Sequence, residues 1–78
     1  MPVVTFLDGV KIEMYFDDHA PPHVQANYAE YEALLIIADG SIYRGSLPGK
    51  QLKKVQDYIL DPVHNKQLIK RWKQYNRA

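Results

Sequence analysis

The chain of 78 residues contains no cysteine. This absence excludes disulfide bonds, thiolate metal ligands and thiol nucleophiles, and it is compatible with a reducing cytoplasm, where we expect the protein to reside. Long apolar runs are also missing, because the longest one, residues 33–38, has six residues and is too short to span a bilayer. No basic segment followed by an apolar stretch opens the sequence, so we expect neither a secretory signal nor membrane contact.

The composition is that of an ordinary globular protein, with 46% hydrophobic and 24% charged residues. A chain of this length forms a single domain, residues 1–78, with a thin core. Its charge is unevenly distributed. Residues 1–45 carry two basic and seven acidic side chains (formal charge −5), whereas residues 46–78 carry eight basic and two acidic ones (+6). The basic half predicts a polyanion or an acidic protein as its partner.

The first half alternates as strands do. Asp8-Gly9 is a strong two-residue hairpin signal between a strand over residues 3–7 and one from residue 10 to about residue 16. Pairing residue 7 with 10, 5 with 12 and 3 with 14 places Val3, Ile12 and Met14 in the core. The opposite face, with Lys11 and Glu13, is then the wetter one.

Three further strands are predicted at residues 23–28, 31–37 and 41–44, after which the period of the apolar residues becomes helical. Ser46 and Pro48 fit the start of a first helix, and Asp61-Pro62 ends it and starts a second one. The apolar stripes of the two helices are Leu52, Val55, Ile59 and Leu68, Ile69, Trp72, Tyr75. The sequence thus predicts an α+β fold: an antiparallel β-meander of four or five strands followed by two C-terminal helices packed on one face.

Between the second and third predicted strands, Asp17, Asp18, His19 and His23 surround a Pro-Pro pair. Each proline fixes its own φ at about −65° and favours extended geometry in the residue before it. The loop is therefore stiff, and its polar groups lose little freedom when they bind a ligand. Stiff loops on a sheet often carry functional groups, so residues 17–23 with Gln25 form the predicted site.

These residues also carry a resemblance to a family. The chain resembles the small bacterial proteins of domain of unknown function 4160 over essentially its whole length. The matching positions are Met1-Pro2, residues 14–19, Pro21-Pro22-His23, Ala26, Tyr28, residues 31–33, residues 45–48, Leu52, Val55 and Trp72. The family pattern usually has a third histidine where this chain has Gln25, and glutamine neither shuttles protons near neutral pH nor ligates transition metals well. The resemblance further implies a neighbouring small protein, as in toxin–antitoxin modules.

Two catalytic or metal-binding interpretations use the loop. His19 and His23, with Asp17 or Asp18 and Gln25, can ligate zinc, nickel or iron. Alternatively, the two histidines can act as base and acid in RNA cleavage, with Lys11, Arg44 or a helix lysine as the cation for the phosphate. Against both stands a structural role, in which the aspartates cap backbone amides and the histidines pair with them.

The third interpretation is a binding module without catalysis. The helices present basic side chains, among them Lys53, Lys54, Lys70 and Arg71, to nucleic acid or an acidic partner, although such faces are often merely solvated. His64, in the first turn of the second helix, is predicted to be exposed. The favoured hypothesis is that the protein is one component of a two-protein module and binds a small partner protein, RNA or DNA through the loop and the helices. No cofactor is expected unless a divalent metal binds at His19 and His23, and the oligomeric state is left open.

Overall fold

The computed structural model describes residues 3–15 and 21–76, which form five strands followed by two helices. The elements are β1 (Val3–Leu7), β2 (Val10–Glu13), β3 (His23–Tyr28), β4 (Tyr31–Ile36), β5 (Ile42–Gly45), α1 (Gly49–Leu60) and α2 (Pro62–Tyr75). The strands lie in the sheet in chain order, and each pairs antiparallel with its neighbour. The predicted α+β meander with two C-terminal helices is therefore confirmed.

The first hairpin has the predicted turn but not the whole predicted register. Asp8 and Gly9 both have positive φ, 49° and 82°, as a type I′ turn requires. The pairs Leu7↔Val10 and Thr5↔Ile12 are those expected. The third pair is wrong, because a bulge between residues 3 and 5 places Val3 opposite Glu13 instead of Met14. Val3 is consequently 37% exposed and does not reach the core.

The core lies between the sheet and the helices. One row of small and branched side chains runs across the sheet through Ile12, Ala26 and Ala33, which pair in register and are all buried. The helices add buried residues to the same cluster: Val55, Ile59, Leu68 and Trp72. Both predicted helical stripes thus face the sheet, with Leu52, Ile69 and Tyr75 partly buried at its margin.

The junction between the helices is held by side chains that the sequence marks only in part. Asp61 caps α2 as predicted, because its carboxylate accepts a hydrogen bond of 3.2 Å from the backbone N–H of His64, and Pro62 is the first helical residue. Asn65 donates through Nδ2 to the carbonyls of Ile59 (2.9 Å) and Ile37 (2.8 Å). This one amide therefore ties the end of α1 and the end of β4 to the first turn of α2. No helix within residues 3–15 and 21–76 is long and apolar enough to cross a membrane.

The register of the first hairpin can be tested by truncating one apolar side chain on each of its strands. We expect Ile12→Ala to lower the free energy of unfolding by about 2–5 kcal/mol, since Ile12 is fully buried and its loss leaves a cavity. Phe6→Ala is the control, because Phe6 is 67% exposed and its truncation should cost less than about 1 kcal/mol. Urea denaturation followed by circular dichroism measures both, and equal losses would contradict the register.

Candidate functional site

The predicted loop lies largely outside the described residues. Asp17, Asp18 and His19 are in residues 16–20, so their part in a site stays a prediction. The structure describes the two remaining members, His23 and Gln25, at the first and third positions of β3. Within residues 3–15 and 21–76, no group of three or more His, Asp or Glu side chains gathers as a metal site would require.

His23 is only 6% exposed and is held on several sides. Its Nδ1 lies 2.8 Å from the carbonyl oxygen of Pro21, which can only accept a hydrogen bond, so we assign the proton to Nδ1. The ring also lies 5.1 Å from the ring of Trp72 and 6.1 Å from that of Tyr43, measured between centroids. In the neutral ring the lone pair is then on Nε2, and a ring nitrogen with a lone pair can ligate a metal or accept a proton. The contacts with Trp72 and Tyr43 also give His23 a structural role.

Gln25 belongs to a row of polar side chains across the sheet. Its Nε2 donates to Glu32 on β4 and, at 3.2 Å, to Asn27 on its own strand. Asn27 in turn donates to Oε1 of Glu13 on β2 at 2.7 Å, and Tyr15 donates to the same oxygen at 3.1 Å. The amide of Gln25 is therefore engaged in a hydrogen-bond network that links three strands.

Glu13 is the unexpected member of this network. The alternation of β2 places it on the wetter face, yet it is only 1% exposed. Its Oε1 is hydrogen-bonded as described above, whereas Oε2 has no hydrogen-bond donor among residues 3–15 and 21–76 and lies 3.8 Å from Nζ of Lys11. The expectation of a wet carboxylate is therefore wrong, because partners 2 and 14 residues away enclose it. The hydrogen bond from Asn27 to this buried carboxylate links β2 to β3.

The basic residues of α1 are partly neutralised. Nζ of Lys53 lies 3.1 Å from the carboxylate of Asp57, one turn further along the helix. Nζ of Lys54 lies 3.3 Å from the carboxylate of Asp8 in the first hairpin turn. Both pairs are exposed and therefore weak, but each places a negative charge beside a lysine that the sequence assigned to binding.

The basic residues of α2 are different. Lys66, Lys70 and Lys73 are exposed and spaced by four and three residues, which places them on one side of the helix. We call these three side chains the lysine face. None of them forms an ion pair with a carboxylate in the described part of the chain. Of the predicted binding residues, Lys70 therefore belongs to an uncompensated cluster, whereas Lys53 and Lys54 do not.

Arg71 lies beside the lysine face, in a groove between β1 and the helices. The polar residues that line this groove are Thr5, Tyr58, His64, Gln67 and Arg71, and we call it the α2 groove. The rings of Tyr58 and His64 are stacked, with centroids 4.1 Å apart and planes inclined by 22°. The side chain of His64 is 41% exposed, so the prediction that it is exposed is met in part, and a residue of the other helix covers one face of its ring.

The fold and the site together define a small α+β domain whose last helix carries an uncompensated cluster of positive charge. The chain belongs to the family described as Domain of unknown function (DUF4160), whose family model matches residues 9–73. No curated protein and no solved structure is significantly similar to the chain. The suspected family is therefore confirmed, and the family itself assigns no activity.

Proposed function

We propose that this protein is a binding module that contacts RNA or DNA through the lysine face of α2, as one component of a cytoplasmic two-protein module resembling toxin–antitoxin pairs. The observation that carries the proposal is the uncompensated charge of Lys66, Lys70 and Lys73. Three lysines spread over about 10 Å of helix can neutralise neighbouring phosphates and release the counterions condensed on them.

The location of the charge supports a partner that is anionic and extended. The carboxylates of the chain are concentrated in residues 1–45, while the lysine face lies in the half with formal charge +6. A polyanion that approaches α2 therefore meets positive charge first, and such a field accelerates association. Lys53 and Lys54 contribute less to this field, because each has a carboxylate beside it.

The partner protein of such a module has a separate candidate surface. β5 is the last strand of the sheet and pairs with β4 on one side within the described residues. Its side chains Ile42 and Tyr43 are 38% and 50% exposed. An edge strand with exposed apolar side chains can accept a strand of another protein by backbone pairing. This is the second candidate contact.

The alternative to a binding module, an RNA-cleaving enzyme that uses His19 and His23, stays a prediction.

The proposed function is tested by neutralising the lysine face. We expect Lys66, Lys70 and Lys73 changed together to Gln to weaken binding of single-stranded RNA at least tenfold. The slope of log affinity against log salt should become shallower by about two, since three phosphate contacts are lost. Fluorescence anisotropy with a labelled RNA, repeated over a series of salt concentrations, measures both quantities.

The matched control is the same change on α1: Lys50, Lys53 and Lys54 to Gln. It alters the net charge by the same amount, so the two variants differ only in where the charge is removed. We expect the α1 variant to lose far less affinity, because two of its lysines are already compensated. Equal losses in the two variants, or binding that is indifferent to salt, would show that the lysine face is merely solvated.

A further inference from the structure

We propose that the α2 groove is a phosphate site that binds the phosphate of a nucleotide. The inference deepens the proposed function, and the choice of a nucleotide as the source of the phosphate rests on it. The groove itself has a volume of about 410 Å³, and its lining joins β1, α1 and α2. This is room enough for a small ligand.

The lining supplies hydrogen-bond donors in the kind of set that an anion needs. Arg71 offers a guanidinium, Gln67 an amide, and Thr5, Tyr58 and His64 complete the polar lining. No carboxylate is among the described residues that line the groove, and that of Asp61 lies 3.4 Å from Nδ1 of the lining residue His64. Arg71 also forms no ion pair with a carboxylate of residues 3–15 or 21–76, so its charge is available to a ligand. Guanidinium groups bind phosphate through two parallel hydrogen bonds.

The two aromatic side chains of the groove are held in place before any ligand arrives. The stacking of Tyr58 fixes the plane of the His64 ring, and the carboxylate of Asp61 lies 3.4 Å from its Nδ1. Burial raises the pKa of the Tyr58 hydroxyl above its usual value, and the nearby charge of Arg71 offsets part of that rise. The hydroxyl is therefore protonated near neutral pH and can donate. Preorganised donors reduce the entropy that binding costs.

The apolar part of the groove fits the rest of a nucleotide. Leu68 is buried at its base, and Val4 on β1 lines it from the sheet. Gln67 and Lys70 are one helical turn apart, so the groove borders the lysine face defined above. A nucleic acid that crosses the lysine face would thus bring a phosphate to the mouth of the α2 groove.

The test compares adenosine monophosphate with adenosine, which lacks the phosphate, and with inorganic phosphate. We expect the monophosphate to shift the amide and side-chain resonances of Thr5, His64 and Gln67 in NMR titrations at lower concentration than inorganic phosphate does. Adenosine should shift them far less than the monophosphate. Arg71→Ala should weaken binding of the monophosphate at least tenfold, and Arg71→Lys should weaken it less, because the charge is kept and only the fork geometry is lost. Lys50→Ala, a control that removes one exposed charge on α1, should weaken binding less than twofold.

Several outcomes would overturn the proposal: no shift of the groove resonances with millimolar monophosphate, equal effects of Arg71→Ala and Lys50→Ala, or equal binding of adenosine and the monophosphate. Thermal unfolding of each variant shows whether it is folded. If Arg71→Ala does not fold, the affinity of Arg71→Lys for the monophosphate is compared with that of the unaltered protein instead. The Gln variant of the lysine face should still bind the monophosphate. Failure of the groove and failure of the lysine face are therefore seen separately, the first with the mononucleotide and the second with RNA.

Discussion

Substitution of Gly45 by alanine should lower the free energy of unfolding by roughly 2–5 kcal/mol, because it adds backbone strain to a steric overlap. Gly45 ends β5 with φ +83°, a conformation that residues with a Cβ seldom adopt. A Cβ placed there would overlap the carbonyl oxygen of Glu32 and lie 3.1 Å from Cα of Ala33. The same carbonyl accepts a hydrogen bond of 3.1 Å from the backbone N–H of Ser46, so the chain cannot simply move away.

The chain contains its own control for this experiment. Gly49 begins α1 and is exposed, and apart from its chain neighbours and the backbone of its own helix no atom lies within 4 Å of the position a Cβ would take. Gly49→Ala should therefore change the stability by about 1 kcal/mol or less. Urea denaturation measures the free energy of unfolding of both variants, with the same dependence on urea concentration used for each. If the two midpoints move by the same amount, then β5 does not approach the backbone of β4 as described here.

Truncation of Trp72 to alanine should cost about 3–5 kcal/mol, since a large aromatic side chain leaves a cavity that a small domain cannot close. Trp72 is 7% exposed, joins α2 to the core, and contacts the ring of His23. We expect a lower midpoint of thermal unfolding, followed by far-ultraviolet circular dichroism because the variant lacks the single tryptophan. Val63→Ala, on the same helix at a residue that is 63% exposed, should change the midpoint little.

The same variant tests the role of His23. If the two rings stabilise each other, a double-mutant cycle of Trp72→Ala and His23→Ala should give a coupling energy of about 0.5–1.5 kcal/mol. Such coupling would support a structural role for His23. A coupling near zero, with both single variants folded, would contradict that role and leave the imidazole available for the chemistry predicted from the loop.

Features set by neighbouring residues could be predicted from the sequence. Asp8-Gly9 predicts its turn because both positions need positive φ, which Asn, Asp and Gly adopt most readily. Asp61-Pro62 predicts the start of α2 because the cap and the missing proline N–H act within one turn. The apolar stripe of each helix likewise follows from a period of 3.6 residues. All of these signals lie within a few positions of the structure they specify.

Features that depend on distant partners could not be predicted. The bulge near Val4 adds one residue to β1 and moves Glu13 opposite Val3, and alternation alone contains no sign of it. Glu13 is buried by Asn27, a residue on the next strand. Likewise, Lys54 is compensated by Asp8, 46 residues earlier in the chain. Strand alternation predicts on which side of the sheet a side chain lies, but not which residues cover that side chain.

The candidate site divides in the same way. The lysine face follows from helical spacing, so the sequence identifies its residues. The sequence does not show that their charges are uncompensated. The α2 groove was missed, because Tyr58 and His64 belong to different helices and meet only when the helices pack. A tyrosine and a histidine six residues apart across a helix break are a weak signal by themselves.

The order of the strands has a consequence for synthesis on the ribosome. Since each strand pairs with the one before it, every strand finds its partner in the part of the chain that has just been made. The helices that cover its apolar side are translated last, so Ile12, Val24 and Leu35 lack their cover for a time. Nascent chains in that condition tend to aggregate. We expect the formal charge of −5 on residues 1–45 to oppose this, because chains with the same charge repel one another.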